Sequence, residues 1–396
     1  MFEGRTVVLG VTGSISAYKT VDLASKLVQR GIKVDVVMTE AATKFVAPLT
    51  FQSVTHRQVF TDMFAEVSAF EIEHVALAER ADVVAIVPAT ANTISKLAAG
   101  LADNLLTCVV LATQAPVVLA PAMDRGMYAN QITQENLDKL RSRGFIVVGP
   151  AHGRLASGLE GWGRLAEVEE ILAEILKALG RNGDLAGRKV LITAGGTQEP
   201  LDPVRYIGNY SSGRMGFALA EAARDRGAKV TLIAAATSLP PPYGVEVIRV
   251  QTALQMREAV LQEVPRADAL IMAAAVADFR PKTISGGKIK RRPETLTLEL
   301  VSTPDILAEV TAPVKVGFAA ESEDLLQNAQ RKLKEKGLDL IVANDITAPE
   351  SGFGADTNKV TLLNGRGEAE LPVMPKSEVA HRVLDRVVQL LAEKGR

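Results

Sequence analysis

The chain reads as two open α/β domains, each a mostly parallel, Rossmann-like sheet with helices on both faces. Three observations predict this. The 396 residues exceed one average domain of ~150 residues. Continuous Val/Ile/Leu runs of strand length alternate with helical patterns of about ten to fifteen residues, the signature of parallel strands buried on both sides. Finally, GRTVVLGVTGS at 4–14 is echoed by GRKVLITAGGT at 187–197: a basic residue, a buried strand, then a Gly/Thr/Ser turn.

In the first half the apolar runs place strands at Thr6–Val11, Ile32–Met38, Asp82–Val87, Pro116–Ala120 and Phe145–Val148. Amphipathic spacing places helices at Ser16–Gln29, Glu71–Ala81, Ala91–Gly100, Thr133–Arg143 and Ala166–Leu179. The uncharged stretch Asn104–Met123 contains Gln114, Pro116 and Pro121, so it reads as a helix followed by a buried strand, not a membrane span. GRNGDLAG at 180–187 holds three glycines and no apolar run, which makes it the expected linker between domains 1–179 and 188–396.

The second half repeats the style. Strands are expected at Lys189–Thr193, Lys229–Ile233, Ala269–Ala273, Lys315–Ala319 and Asp339–Ala343. Helices are expected at Arg214–Arg226, Ala253–Glu263, Asp324–Lys336 and Lys376–Ala392. Val360–Leu363 and Glu370–Val373 read as an antiparallel extension. In sheets of this kind ligands sit at the carboxyl ends of the strands.

Composition excludes several classes. Lys+Arg number 45 against 46 Asp+Glu, a net charge of −1, which removes the basic excess that nucleic-acid binding needs. A single cysteine, Cys108, excludes an intrachain disulfide framework and Cys-rich metal or cluster sites, and points to a reducing cytoplasm. The four histidines are scattered, so a His-based metal site is not expected. The N-terminus, with Glu3 and a short apolar run, does not read as a signal peptide.

Three strand ends in the first half carry polar groups. VTGSISAYK at 11–19 offers Gly13 for close backbone approach and the hydroxyls of Ser14 and Ser16 at a helix start. A tight turn with a Ser cap explains the same residues equally well. Thr39 ends the second strand, where a mononucleotide phosphate suits a hydroxyl better than a dinucleotide ribose would. Thr90, Asn92 and Thr93 follow Pro88 at another helix start, either as ordinary caps or as partners for the polar edge of a flat heterocycle. PAMDRGMY at 121–128 and the glycine-rich GRLASGLEGWGRL at 153–165 complete the set. The latter is a mobile flap or a surface connection, and composition does not separate the two.

With EIEHVALAERAD at 71–82, these motifs resemble the flavin-dependent phosphopantothenoylcysteine decarboxylases in the same order over about 175 residues. The resemblance implies FMN bound by Gly13, Ser14, Ser16, Thr39, Thr90, Asn92, Thr93 and Ala122, with His74 as the active-site histidine. The flavin would oxidise the substrate thiol, the carboxylate would leave as carbon dioxide, and the electrons would then return. Two positions depart from the family. Asp124 stands where its Asn contacts the substrate carboxylate, and Ser157 stands where its Cys donates a proton. An ionised Asp124 would repel that carboxylate unless it keeps its proton, and a serine hydroxyl is a far weaker acid than a thiol.

ITAGGTQEPLDPVRYIGNYSSGRMG at 192–216 follows the first strand of the second half. Gly195, Gly196 and Thr197 suit a phosphate cradle, Ser211 to Gly213 open a helix, and Arg205 and Asn209 suit a carboxylate and a developing charge. AAAVADFRPK at 273–282 ends a strand at Asp278 and precedes SGGKIKRR at 285–292, a basic flap or a solvated charge run. These segments resemble phosphopantothenate–cysteine ligases over about 187–395, and the order of the halves matches bacterial bifunctional coenzyme A biosynthesis proteins.

That resemblance implies CTP and Mg²⁺ acting on 4′-phosphopantothenate and cysteine through an acyl-cytidylate. It implies Lys288 as the catalytic lysine and Asn209 at the acyl-cytidylate, with Arg205 on substrate. The nucleotide would be bound by Ala273, Ala274, Ala275, Asp278, Lys288, Thr303, Pro304, Asp305, Ile306, Phe318, Lys332 and Lys336. Magnesium ligands are not identified. A cytoplasmic homo-oligomer using small-molecule substrates, away from nucleic acid and membrane, is the overall expectation.

Overall fold

Strands buried on both faces must be apolar or have their polar groups paired, and the structure shows where the chain meets that demand. The computed structural model describes residues 2–64, 73–290, 296–321, 325–345 and 354–395. Two compact units divide between Leu179 and Gly180.

In the first unit, β1 (Thr6–Val11), β2 (Lys33–Met38), β3 (Val59–Phe60), β4 (Val83–Ala89), β5 (Val117–Pro121) and β6 (Ile146–Val147) form one sheet of order 3-2-1-4-5-6. Every pairing is parallel. Both β1 and β4 are buried at each position. Alternation sends Val7, Leu9 and Val11 into one core with Leu23, Leu27 and Ile175, and Val8 into the other with Ile86, Leu106 and Leu119. Strand order reverses between β1 and β4, so the crevice for a ligand opens beyond the carboxyl ends of those two strands. The segment after β6 is neither loose nor featureless: β7 (Ala151–Arg154) and β8 (Glu160–Arg164) form an antiparallel hairpin, with His152 edge-on to Trp162 across it.

The second unit begins with β9 (Lys189–Ala194) and the hairpin of β10 (Gln198–Pro200) with β11 (Tyr206–Gly208). Next come β12 (Lys229–Ala234), β13 (Glu246–Arg249), β14 (Ala269–Met272), and the antiparallel β15 (Phe279–Pro281) and β16 (Leu300–Ser302). Strands β17 (Val314–Glu321), β18 (Leu340–Asp345), β19 (Thr357–Asn358), β20 (Val360–Asn364), β21 (Gly367–Glu370) and β22 (Met374–Pro375) finish the unit. The main sheet runs 13-12-9-14-17-18-20-21, parallel as far as β18 and antiparallel beyond it. The echo between 4–14 and 187–197 therefore marks equivalent strands: β1 and β9 each stand beside the reversal of strand order.

Several observed elements differ in extent from the sequence reading. The helix expected at Glu71–Ala81 is described from Glu73 to Arg80, and residues 71–72 lie outside the described residues. The helix expected at Asp324–Lys336 is described over Leu325–Glu335, and residue 324 lies outside the described residues. The strand expected at Glu370–Val373 is instead Gly367–Glu370, displaced toward the turn and paired antiparallel with β20. The expected linker is built into the second unit: Leu185 is fully buried in its core, and Asp184 pairs with Arg226 at 2.5 Å. Glycine content there serves close packing, because a Cβ on Gly183 would lie 2.4 Å from the Arg226 carbonyl oxygen.

Candidate active sites

In the first unit the candidate residues gather at the carboxyl ends of β1, β2, β4 and β5. Thr39 caps the helix Glu40–Thr43, accepting from the Ala42 amide at 3.3 Å. Thr90 caps the helix Ala91–Ala99, accepting from the Thr93 amide at 3.4 Å, and Thr93 is buried behind it. Asn92 is exposed on the first turn of that helix and Ala122 is buried just past β5. Ser14 and Ser16 hold each other at 3.0 Å. Gly13 does permit a close approach, but to Ala41, whose Cβ would sit 2.5 Å from an added Cβ. Thr12 was not singled out from sequence, yet it joins the two central strands. Its hydroxyl donates to the Pro88 carbonyl at 2.7 Å and accepts from the Thr90 amide at 3.1 Å. A hydroxyl, amide and small-residue set around one crevice fits a flavin mononucleotide, which needs phosphate donors and polar partners at the ring edge.

His74 lies half-buried in the first turn of the helix Glu73–Arg80. That helix is tied to the sheet through Arg80, which meets the buried Asp35 of β2 at 2.8 Å and lies over the Phe60 ring at 5.9 Å. Arg57 holds the same carboxylate at 2.6 Å.

The two departures from the family pattern touch each other. Ser157, in the hairpin turn, donates its hydroxyl to Asp124 at 2.9 Å, and the Gly126 amide donates to the other carboxylate oxygen at 3.0 Å. Those donors, the Gly126 amide first and then Ser157, hold the Asp124 carboxyl below the usual carboxylate range. Both donors favour the charged form of the carboxyl. The hairpin is seated over this loop because Gly163, at φ 138°, accepts from the Met123 amide at 2.9 Å, and a Cβ there would strike the Met123 carbonyl oxygen. Cys108 is half-buried. Its sulfur donates toward the Ala102 carbonyl at 3.4 Å, and burial, then the Asp103 charge, pushes the thiol up.

In the second unit a cavity of about 620 Å³ opens at the carboxyl ends of β14, β17 and β18. Ala273, Ala274, Ala275, Asp278, Thr303, Pro304, Asp305, Ile306, Phe318, Lys332 and Lys336 all line it, as does Asn209. The Thr303 hydroxyl donates to the Ala277 carbonyl at 2.5 Å. Asp305 caps the helix Ile306–Glu309 and pairs with Lys336 at 3.1 Å. Beneath it, the buried Lys315 ammonium donates to the Leu307 and Val310 carbonyls at 2.9 and 3.2 Å, and burial lowers its pKa. Arg214 and Lys376 also line the cavity and were missed by the sequence reading. Lys376 is buried and donates to the Ala355 and Thr357 carbonyls, with burial and then Arg214 lowering its pKa.

Arg205 and Lys288 do not line this cavity. Lys288 is exposed in the loop between β15 and β16; Arg291 and Arg292 lie outside the described residues. Arg205 is engaged with the protein itself, donating through Nη1 to the Ile289 carbonyl at 3.1 Å and to Asp202 at 3.4 Å. Asn209 donates its amide to the Val276 carbonyl at 3.1 Å. Asp202 is the residue the sequence did not reveal. Its carboxylate accepts the amides of Val204, Arg205 and Ile289 at 2.7, 2.8 and 3.0 Å, and these, the Ile289 amide foremost, keep its pKa low. Among the described residues no group of three or more His, Cys, Asp or Glu side chains is placed to hold a metal ion, and no helix is long and apolar enough to cross a membrane.

Comparisons with known proteins give a family match for each unit. Residues 1–180 match the flavoprotein family and residues 185–391 match the DNA/pantothenate metabolism flavoprotein C-terminal domain family. The coenzyme A biosynthesis bifunctional protein CoaBC of Bacillus subtilis is 47% identical over 403 residues, covering 100% of this chain and 99% of that protein. The protein of the same name from Vibrio cholerae is 46% identical over 388 residues, covering 96% and 97%. The solved C-terminal domain of a coenzyme A biosynthesis bifunctional protein is 38% identical, covers 53% of this chain and 99% of that one, and has a TM-score of 0.46. With full-length relatives at this identity and a family match on each unit, the chain belongs to the family of coenzyme A biosynthesis bifunctional proteins.

Proposed function

We propose that the second unit ligates 4′-phosphopantothenate to cysteine at the expense of CTP, and that the first decarboxylates the product with FMN. The observation that carries the reading is the second-unit cavity, where strand ends and the cationic Lys332, Lys336, Arg214 and Lys376 surround space for a nucleotide. In the first step the substrate carboxylate attacks the α-phosphorus and pyrophosphate leaves. The amine of cysteine then attacks the acyl carbon, CMP leaves, and the amine loses its proton. No protein nucleophile is required; positioning and positive charge supply the catalysis. Magnesium would enter on the triphosphate, which is its usual mode of binding.

FMN, held by Ser14, Ser16, Thr39 and Thr90, would accept and return the electrons of the thiol substrate. The chain's own part is to present His74 and to shield the crevice with the 151–164 hairpin. Ser157 is already donating to Asp124, so it is a poor source for the last proton. That bond also favours a second reading, in which the first unit binds FMN but completes the decarboxylation slowly.

The test supplies phosphopantothenate and cysteine with each nucleotide in turn. Pyrophosphate should appear with CTP, and turnover without nucleotide, or a colourless protein that FMN cannot reconstitute, would refute the assignment. Given 4′-phosphopantothenoylcysteine, the S157C variant should release reduced product at least ~10-fold faster than wild type, because a positioned acid contributes about 10²–10⁴-fold. D124N should lower KM for that substrate by removing a like charge. Equal rates for wild type and S157C, both fast, would show that another group delivers the proton.

A further inference from the structure

We infer that Asp202 is the positioning residue of the basic loop 285–290, and that Arg205 braces the same anchor through Nη1. The inference uses the ligase reading only for what Lys288 does. The carboxylate is fully buried and its two oxygens divide the work. One takes the Val204 and Arg205 amides, fixing the turn after Pro200; the other takes the Ile289 amide at 3.0 Å and Arg205 Nη1 at 3.4 Å. Arg205 Nη1 also reaches the Ile289 carbonyl at 3.1 Å, so both polar groups of Ile289 are gripped from one turn. A second strut lies four residues earlier, where the Ser285 amide donates to the Leu201 carbonyl at 2.9 Å.

Between these anchors a Cβ on Gly286 or Gly287 would meet nothing within 4 Å, and the Ser285 hydroxyl donates to the Gly287 carbonyl at 2.7 Å. Lys288 is the residue adjoining Ile289. Its backbone position is therefore set by the anchor, and a catalytic cation on a glycine loop is useful only if something buried holds it in place.

Substitution D202N separates the two oxygens. The amide oxygen can still accept within the turn, while its NH₂ faces two donors, Ile289 N–H and Arg205 Nη1. In the full-length, substrate-free protein, hydrogen exchange across 285–289 should accelerate about tenfold, as expected for loss of a charge-assisted bond. With CTP as the nucleotide, kcat for ligation should fall by about the same tenfold factor and KM for CTP should hold, since positioning and not binding is lost. Ile289→Pro deletes the donor without touching Asp202 and should reproduce the kcat loss. The double variant should be no worse than the Pro variant alone.

Unchanged exchange in D202N, accelerated exchange with wild-type kcat, or multiplicative losses in the double variant would each overturn the inference. Should D202N fail to fold, Ile289→Pro alone decides, and wild-type kcat there overturns it. If Lys288→Gln is fully active, the ligase role of Lys288 fails, while the exchange comparison still judges the anchor.

Discussion

Replacing Lys288 by Gln is expected to lower the rate of CTP-dependent ligation by about 10²–10³, the usual loss when one preorganised charge is removed from a developing anion. The attack on the α-phosphorus builds negative charge on a centre already flanked by phosphates. An ammonium there acts in the transition state more than in the ground state, so kcat should fall with little change in KM for CTP. Lys288 is exposed, so the substitution should leave stability within ~0.5 kcal/mol and the loss cannot be ascribed to unfolding. Lys288→Arg keeps the charge on a longer, planar group and should recover part of the rate. Pyrophosphate release measured under single-turnover conditions checks this, and a wild-type rate in the Gln variant would remove Lys288 from the mechanism.

The architecture was legible because parallel strands are written as uninterrupted apolar runs. β1 matches the sequence reading to the residue, as does the Ala253–Glu263 helix, whose start the structure closes with a capping box of Thr252 and Gln255. Short or polar elements were not legible. β3 is two residues long and is held by its neighbour β2. The strands AHGR and EGWGR of the 151–164 hairpin show no alternation that marks a buried face. Within the sites, residue types at strand ends were readable, since a turn that follows an apolar run has few places to go. Pairings between loops were not. Asp202 reaches Ile289 and Asp124 reaches Ser157 across 87 and 33 residues, and no spacing rule encodes such contacts. The Asp124–Ser157 pairing gives the two family departures a joint meaning: one residue's hydroxyl is the other's hydrogen-bond donor.

The joint removal of Arg57 and Arg80 should produce the largest loss of stability in the first unit. Asp35 is 1% exposed on β2, two residues from the core residue Val37, and both guanidinium groups reach it from the half-exposed side. Each charge-assisted pair offsets the desolvation of that carboxylate. Deleting both leaves it buried and uncompensated, a defect of about 3–5 kcal/mol. For a unit of this size that corresponds to a fall of ~6–20 °C in the unfolding midpoint of the first unit. Single variants should lose much less than half, because either arginine alone still satisfies one oxygen, so the two effects should be strongly non-additive. Arg80 also anchors the helix that carries His74, so the double variant should lose flavin before it unfolds, visible as a rise in free-flavin fluorescence at lower temperature. Adding Asp35→Leu to the double variant removes the buried charge itself and should restore most of the midpoint. If the triple variant stays as unstable as the double, the defect lies in lost packing of the arginine stems and not in the stranded carboxylate.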